Sequence, residues 1–186
     1  MGQNMNKRKL TKINPKLELL IEKARQLFFQ YGIKRVSVQE ICREAGTSKM
    51  TFYRHFPNKT ALAKHILKCL FFEGWQQFNQ IKSMDISLEE KLKKILVMKI
   101  KFDEKYSREF LNDLVSGANP ELRKCIEGEH EKSLKEIKNM FIDAQKKGEV
   151  RSDLKIKFII RSIPYKGGIC KGNPLGGNIY YFHNLF

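Results

Sequence analysis

The chain has 186 residues, with 36 Lys+Arg against 20 Asp+Glu and a formal net charge of +16. That length accommodates one domain, or a small module joined to a larger one, and is short for a multidomain enzyme. Residues 1–68 hold 15 basic and 4 acidic side chains, a net +11, while the remaining 118 residues hold 21 and 16, a net +5; a small N-terminal module facing a polyanion is the expectation, with nucleic acid and an anionic membrane surface both open on charge alone.

Met1 to Lys12 are polar and basic with no apolar core, so this segment is not expected to act as a secretory leader. From Pro15 to Tyr31 the apolar residues Leu17, Leu20, Ile21, Ala24, Leu27 and Phe28 recur at three and four, which predicts an amphipathic helix stopped by Gly32. Ser37 stands three residues before Glu40 as a capping box for a short helix from Val38 to about Glu44, with Val38, Ile41 and Cys42 inward. Gly46 breaks that helix because it tolerates a left-handed backbone, and Ser48 caps another from Lys49 to about His55, ending before Pro57. Two short helices joined by a turn containing Gly form a helix-turn-helix pattern, whose second helix lies in the major groove of DNA.

Asn58 is predicted to cap a longer helix starting at Lys59 and carrying Leu62, Ile66, Cys69, Leu70, Trp75 and Phe78. Further helices are predicted over Leu88 to Lys105, with Leu92, Ile95, Leu96, Lys99 and Phe102, and over Ser107 to Ser116, with Phe110, Leu111 and Leu114. Pro120, after Asn119, occupies the first-turn position favoured by proline, and the helix it opens runs to about Lys147 before Gly148. No strand-period alternation occurs before residue 160, so the fold class is all-α. Beyond Ile160 come Pro164, Gly167, Gly168, Gly172, Pro174, Gly176 and Gly177, with no acid after Asp153, and helical periodicity ends.

The stretch from Ser37 to Lys59, with Ala45-Gly46, Thr51-Phe52-Tyr53, Phe56 and Asn58-Lys59, resembles the DNA-binding segment of the TetR family of transcriptional repressors, and Ala24, Leu27, Phe28, Tyr31 and Gly32 resemble its first helix. The resemblance spans roughly residues 16 to 66 and is architectural beyond that, through helix count and the Gly148-Glu-Val-x-x-Asp153 turn. It implies an N-terminal three-helix helix-turn-helix DNA-binding domain followed by a helical ligand-binding and dimerisation domain. The expected organisation is a basic arm over 1–15, the DNA-binding domain over 16–57, a helical effector-binding and dimerisation domain over 58–160, and an atypical Gly/Pro-rich tail over 161–186.

In the helix after Ser48, Lys49, Met50 and Thr51 lie at the end that reaches base edges, with Arg54 one turn on. Lys49 or Arg54 suits guanine O6 and N7, and the Met50 or Thr51 methyl suits the thymine methyl. Phe52 and Phe56, four apart, are expected to hold this helix onto the first. The resemblance assigns phosphate contacts to Ser37, Tyr53, His55 and Lys59 and places Thr47 and Ser48 at the same interface. The basic tail, Lys7 to Lys9 with Lys12 and Lys16, reads equally as an arm on DNA or a solvated end.

Trp75, Phe78, Met98, Phe102, Phe110, Met140 and Phe141 read first as core packing; by resemblance some of them line an apolar cavity for a small effector whose binding changes the spacing of two DNA-reading heads. The implied partners are double-stranded operator DNA, an unidentified small-molecule effector and a second copy of the chain in a homodimer, in a cytoplasmic setting. In the family the last two helices form the dimer interface, whereas here an eighth helix starting at Asp153 meets Pro164 within about three turns. The tail is therefore a divergent segment or one not homologous to the family's end, and a tail-altered regulator acting as a non-specific DNA-binding or protein-interaction module is the alternative.

The residues do not favour other classes. No run approaches the roughly 18 to 20 apolar residues of a membrane span. Cys42, Cys69, Cys125 and Cys170 form no CxxC pair, so no disulfide framework, zinc ribbon or other metal site is expected. His65 and Cys69 have ligand spacing on one helix, as do Cys125 and Glu129 beside His130, without a second pair. No nucleophile elbow, HExxH or glycine-rich phosphate loop is present, so neither catalysis nor a cofactor is predicted.

Overall fold

The computed structural model describes residues 14–115 and 119–157. Among them are seven helices and no strand: α1 (Pro15–Tyr31), α2 (Val38–Glu44), α3 (Lys49–His55), α4 (Lys59–Ser83), α5 (Leu88–Lys105), α6 (Arg108–Val115) and α7 (Pro120–Lys146). Their bounds follow local chemistry. The side chains of Asn14, Ser37, Ser48, Asn58, Ser87 and Asn119 each accept a hydrogen bond from a free N–H of the first turn they precede. The predicted reciprocal capping box at Ser37 forms by half, since the Ser37 hydroxyl accepts from Glu40 N–H; the complete box lies at Ser87, where Glu90 also accepts from the Ser87 N–H.

Two helices end in the same way. Gly46 (φ 57°) and Gly148 (φ 77°) take the left-handed backbone, and the pairs Gly46 N–H to Arg43 O with Thr47 N–H to Cys42 O, and Gly148 N–H to Gln145 O with Glu149 N–H to Ala144 O, make two Schellman closures. The first of these is the turn of the helix-turn-helix. Asp153 does not open a helix as predicted: the Gln145 amide donates to the carbonyls of Arg151 and Leu154, Arg151 pairs with Asp153, and this holds 151–154 as a turn with helical backbone resuming at residues 156–157. The proline- and glycine-rich segment and the rest of the expected eighth helix lie outside the described residues, as does the basic arm before Asn14.

The apolar faces gather into two clusters. The first joins Leu20, Ala24 and Phe28 of α1, Ile41 and Cys42 of α2, Phe52 of α3, Leu62, Ala63, Ile66, Leu67 and Leu70 of α4, and Tyr106, Phe110 and Leu122. The second joins Phe78 of α4, Leu88 and Leu92 of α5, Ile137, Met140, Phe141 and Ala144 of α7, and Val150. α4 contributes to both, so the boundary expected at residue 58 coincides with the start of a helix but not with a break in packing. Thr60 meets Asn119, Lys64 meets Glu121, Trp75 meets Glu129 and Lys82 meets Glu136, so α4 and α7 run side by side in the same direction.

Where α6 meets the end of α1, Phe29 stacks edge-on with Tyr106 and Phe110 at 4.5 and 4.9 Å between ring centroids, and the Ser107 N–H donates to Phe29 O. Arg25 sits over the Phe29 ring at 5.4 Å while its guanidinium pairs with Glu73 of α4 at 3.3 Å. Burial in this cluster pushes the Tyr106 phenol above its ordinary value. No helix among the described residues is long and apolar enough to cross a membrane.

Candidate nucleic-acid interface

α3 has one anchored face and one open face. Phe52 is fully buried and packs on Tyr53 and Phe56, and Phe56 is half-buried against the first cluster, to which α1, α2 and α4 all contribute. On the other side Met50 is 81% exposed and Tyr53 54% exposed. Lys49 and Arg54 are exposed as well.

The remaining expected residues are held more tightly. The Ser48 hydroxyl accepts from the Thr51 N–H at 3.1 Å and lies 3.1 Å from the Thr51 hydroxyl, so both hydroxyls serve the start of α3. Thr47 is half-buried within the turn, and its N–H is bound to Cys42 O. His55 is half-buried at the last turn. Ser37 is exposed, its hydroxyl engaged with Glu40 N–H.

Lys59 differs most from a free surface lysine. Its ammonium donates to Lys34 O at 3.0 Å and to Val36 O at 2.7 Å, so two of its three hydrogens tie the first turn of α4 to the α1–α2 loop. Burial pushes this ammonium below the ordinary lysine value, with the Asp113 carboxylate acting in the opposite direction. Asp113 of α6 also accepts from the Lys34 N–H at 2.8 Å, which links the same loop to the other side of the head. Gly32 lies beneath this link with φ 84°, and a Cβ there would fall 2.8 Å from Asp113 Oδ2 and 3.2 Å from the Glu109 backbone.

Two features of the interface were not anticipated from the chain. Gln39, exposed in the first turn of α2, accepts a hydrogen bond from Lys49 Nζ at 3.3 Å. The ten residues between them give no periodic signal; the Schellman turn at Gly46 brings the two first turns together. Asp113 is the other, and its only sequence signal is an acid on an otherwise amphipathic helix.

The seven aromatic and thioether residues considered for an effector cavity are not brought together. Phe110 is fully buried in the first cluster, with Phe102 packed against it, whereas Trp75, Phe78, Met98, Met140 and Phe141 meet in the second. The Trp75 indole N–H donates to Glu129, and Lys132 lies 4.4 Å from the centre of its ring. His130, near Lys99 and Glu131, is held below the usual histidine value, chiefly by burial. His65 and Cys69 are both exposed on α4 with Nε2 and Sγ 4.0 Å apart, and no group of three or more metal-ligating side chains occurs among the described residues.

The fold and this face define a helix-turn-helix protein with a helical partner domain. Residues 20–66 match the bacterial regulatory proteins of the tetR family. Over 68 residues, 37% of the chain, it is 40% identical to the uncharacterised HTH-type transcriptional regulator YuxN of Bacillus subtilis (strain 168). The chain spans only about a quarter of that relative's length, and no more than 53% of the length of the curated relatives it matches. Among solved structures it is similar in fold to regulatory protein TetR from Rhodobacter sphaeroides, with a TM-score of 0.69 at 19% identity over 92% of this chain and 95% of that one. It is similar also to the transcriptional regulator FadR from Bacillus subtilis, solved in complex with stearoyl-CoA, with a TM-score of 0.63 at 18% identity over 78% and 79%. Over residues 20–66 the chain is therefore similar to the N-terminal DNA-binding segment of the TetR family of transcriptional regulators, and beyond it the likeness is one of fold.

Proposed function

We propose that the protein is a sequence-specific, operator-binding transcriptional regulator acting as a dimeric repressor in the cytoplasm, and that a small apolar effector releases it from its operator. The observation that carries this reading is the open face of α3, where Lys49, Met50, Tyr53 and Arg54 stand exposed on a short helix anchored by Phe52. A helix so presented fits the major groove, and two heads related by a two-fold axis about 34 Å apart engage successive turns of one DNA face.

Within this reading Lys49, Met50, Thr51 and Arg54 face base edges, while Ser37, Thr47, Ser48, Tyr53, His55 and Lys59 position the head on the backbone. Lys59 does so with one remaining ammonium hydrogen, its other two supporting the loop beside it. The head spans 16–57 and the effector domain begins with α4, whose passage through both clusters supplies a rigid connection between them. The effector enters beside Trp75 and Met98, which are half-open over the buried Phe78, Met140 and Phe141, an apolar group of the kind that suits an acyl chain such as the one in the FadR complex. An effector acts only as far as it prefers one spacing of the heads over the other.

The test is binding of the full chain to duplex DNA flanking its own gene, over a salt series, against random duplex of equal composition. The expected result is a preference for the flanking DNA, with each neutralised phosphate contributing about −0.9 to the slope of log K against log salt. Tyr53→Phe should weaken binding to all sequences, and Arg54→Ala should change which are preferred. Equal binding to both duplexes overturns the operator reading. The acid-free, glycine-rich end favours a second reading, a regulator with an altered tail that binds DNA non-specifically; a monomer by sedimentation together with equal binding supports it.

A further inference from the structure

We propose that Gln39 is a specificity-determining residue of the DNA-reading surface, and that Lys49 sets what it reads by holding it as a pure donor, so that the pair selects guanine and rejects adenine. This deepens the operator-binding reading and rests on it.

A glutamine amide ordinarily has two faces. Its carbonyl accepts and its NH2 donates, and this combination matches the N6 donor and N7 acceptor of adenine in the major groove. Gln39 does not keep that choice. Lys49 Nζ lies 3.3 Å from its Oε1, and because an ammonium carries donors and no acceptor, the amide can meet it only through its oxygen. The NH2 is then the group turned away from Lys49, and it adds two donors to the ammonium hydrogens Lys49 has left. The pair presents donors alone. Of the four bases, guanine is the one that offers two acceptors, O6 and N7, on one major-groove edge, whereas adenine places an N6 donor beside N7 and would face donor against donor.

The backbone keeps the two side chains within reach of each other. Gln39 stands in the first turn of α2 and Lys49 in the first turn of α3, both exposed, and the closure at Gly46 that sets the crossing of these helices uses only backbone bonds. The neighbouring hydroxyls do not compete, since Ser48 and Thr51 are bound to each other at the cap. In water an exposed bond of this length is weak; in a groove cleared of solvent it strengthens as the local dielectric falls.

The experiment is selection of duplexes from a randomised pool by the full chain and by the variants Gln39→Ala and Lys49→Met, each checked for unchanged helical content by circular dichroism. In the wild-type protein one position per half-site should favour guanine over adenine by about tenfold, the order expected of one good bidentate contact. That preference should weaken in Gln39→Ala, where Lys49 alone is left to meet guanine. In Lys49→Met the freed carbonyl should turn the same position toward adenine, a switch that a merely structural Gln39–Lys49 contact would not produce. Guanine retained in Lys49→Met, or an unchanged motif in Gln39→Ala, overturns this proposal while leaving the operator reading in place. No enriched motif with the wild-type chain overturns the operator reading itself.

Discussion

The two apolar clusters are built from similar residues and sealed to different degrees. Of the nine largest side chains that are almost fully buried, eight belong to the cluster beneath the helix-turn-helix, and Phe141 alone belongs to the second. Both have a half-open border, including Phe56, Phe71 and Leu111 at the first and Trp75, Ile95, Met98, Leu154 and Ile156 at the second, so the difference lies in how many large side chains are fully sealed. A close-packed interior has one low-energy arrangement, whereas one with few fully sealed side chains leaves room for alternatives. The head is therefore the more tightly sealed part, which in the proposed function holds a fixed shape against DNA, and the second cluster is the part that the proposed effector would change.

Truncations should expose this contrast most strongly. Phe52→Ala, at a site with no exposure, should cost about 4 kcal/mol in chemical denaturation, the middle of the range for a phenylalanine removed from a packed core. Trp75→Ala, at a half-open site, should cost about half as much, since part of its surface already meets water. Equal losses at the two sites would break the comparison.

Glycine substitutions sharpen it at the next level. Gly32 and Gly148 both have positive φ, but a Cβ on Gly32 meets Asp113 and the Glu109 backbone, and one on Gly148 meets nothing within 4 Å. Gly32→Ala should cost about 3 kcal/mol and Gly148→Ala about 1 kcal/mol in the same denaturation measurement. Ser48→Ala removes the cap of α3 and should cost about 1 kcal/mol, and it should weaken DNA binding through fraying of that helix alone.

The smallest expected effect concerns acid. The folded value of His130 lies below 6.5, so the folded state favours the neutral ring, and the stability this supplies is present above pH 6.5 and lost as pH falls through the folded value. His130→Gln should flatten the stability curve over that window while Phe52→Leu should leave its shape unchanged. An equally steep acid arm in His130→Gln would place the titration elsewhere.

The helices were legible because their ends are written locally. Ser37, Ser48, Asn58 and Asn119-Pro120 supply a side-chain acceptor at four starts, and Gly46 and Gly148 supply the left-handed residue at two ends. The open face of α3 was legible too, because Phe52 and Phe56 fix which side turns inward. What was not legible depends on contacts across the chain. Seven aromatic and thioether residues on four helices give no sign in sequence that Phe102 and Phe110 pack with the head and the other five do not. The two carbonyls that engage Lys59 belong to a loop more than twenty residues earlier, and Gln39 reaches Lys49 only because the turn between them closes as it does.

The most direct test of the central claim, that α3 enters the major groove of an operator, combines hydroxyl-radical footprinting with guanine methylation interference on the DNA flanking the gene. Protection is expected in two stretches one helical turn apart, with N7 methylation of specific guanines abolishing binding. Protection spread evenly along the duplex, unaffected by major-groove methylation, would contradict it and leave only contact with the phosphate backbone.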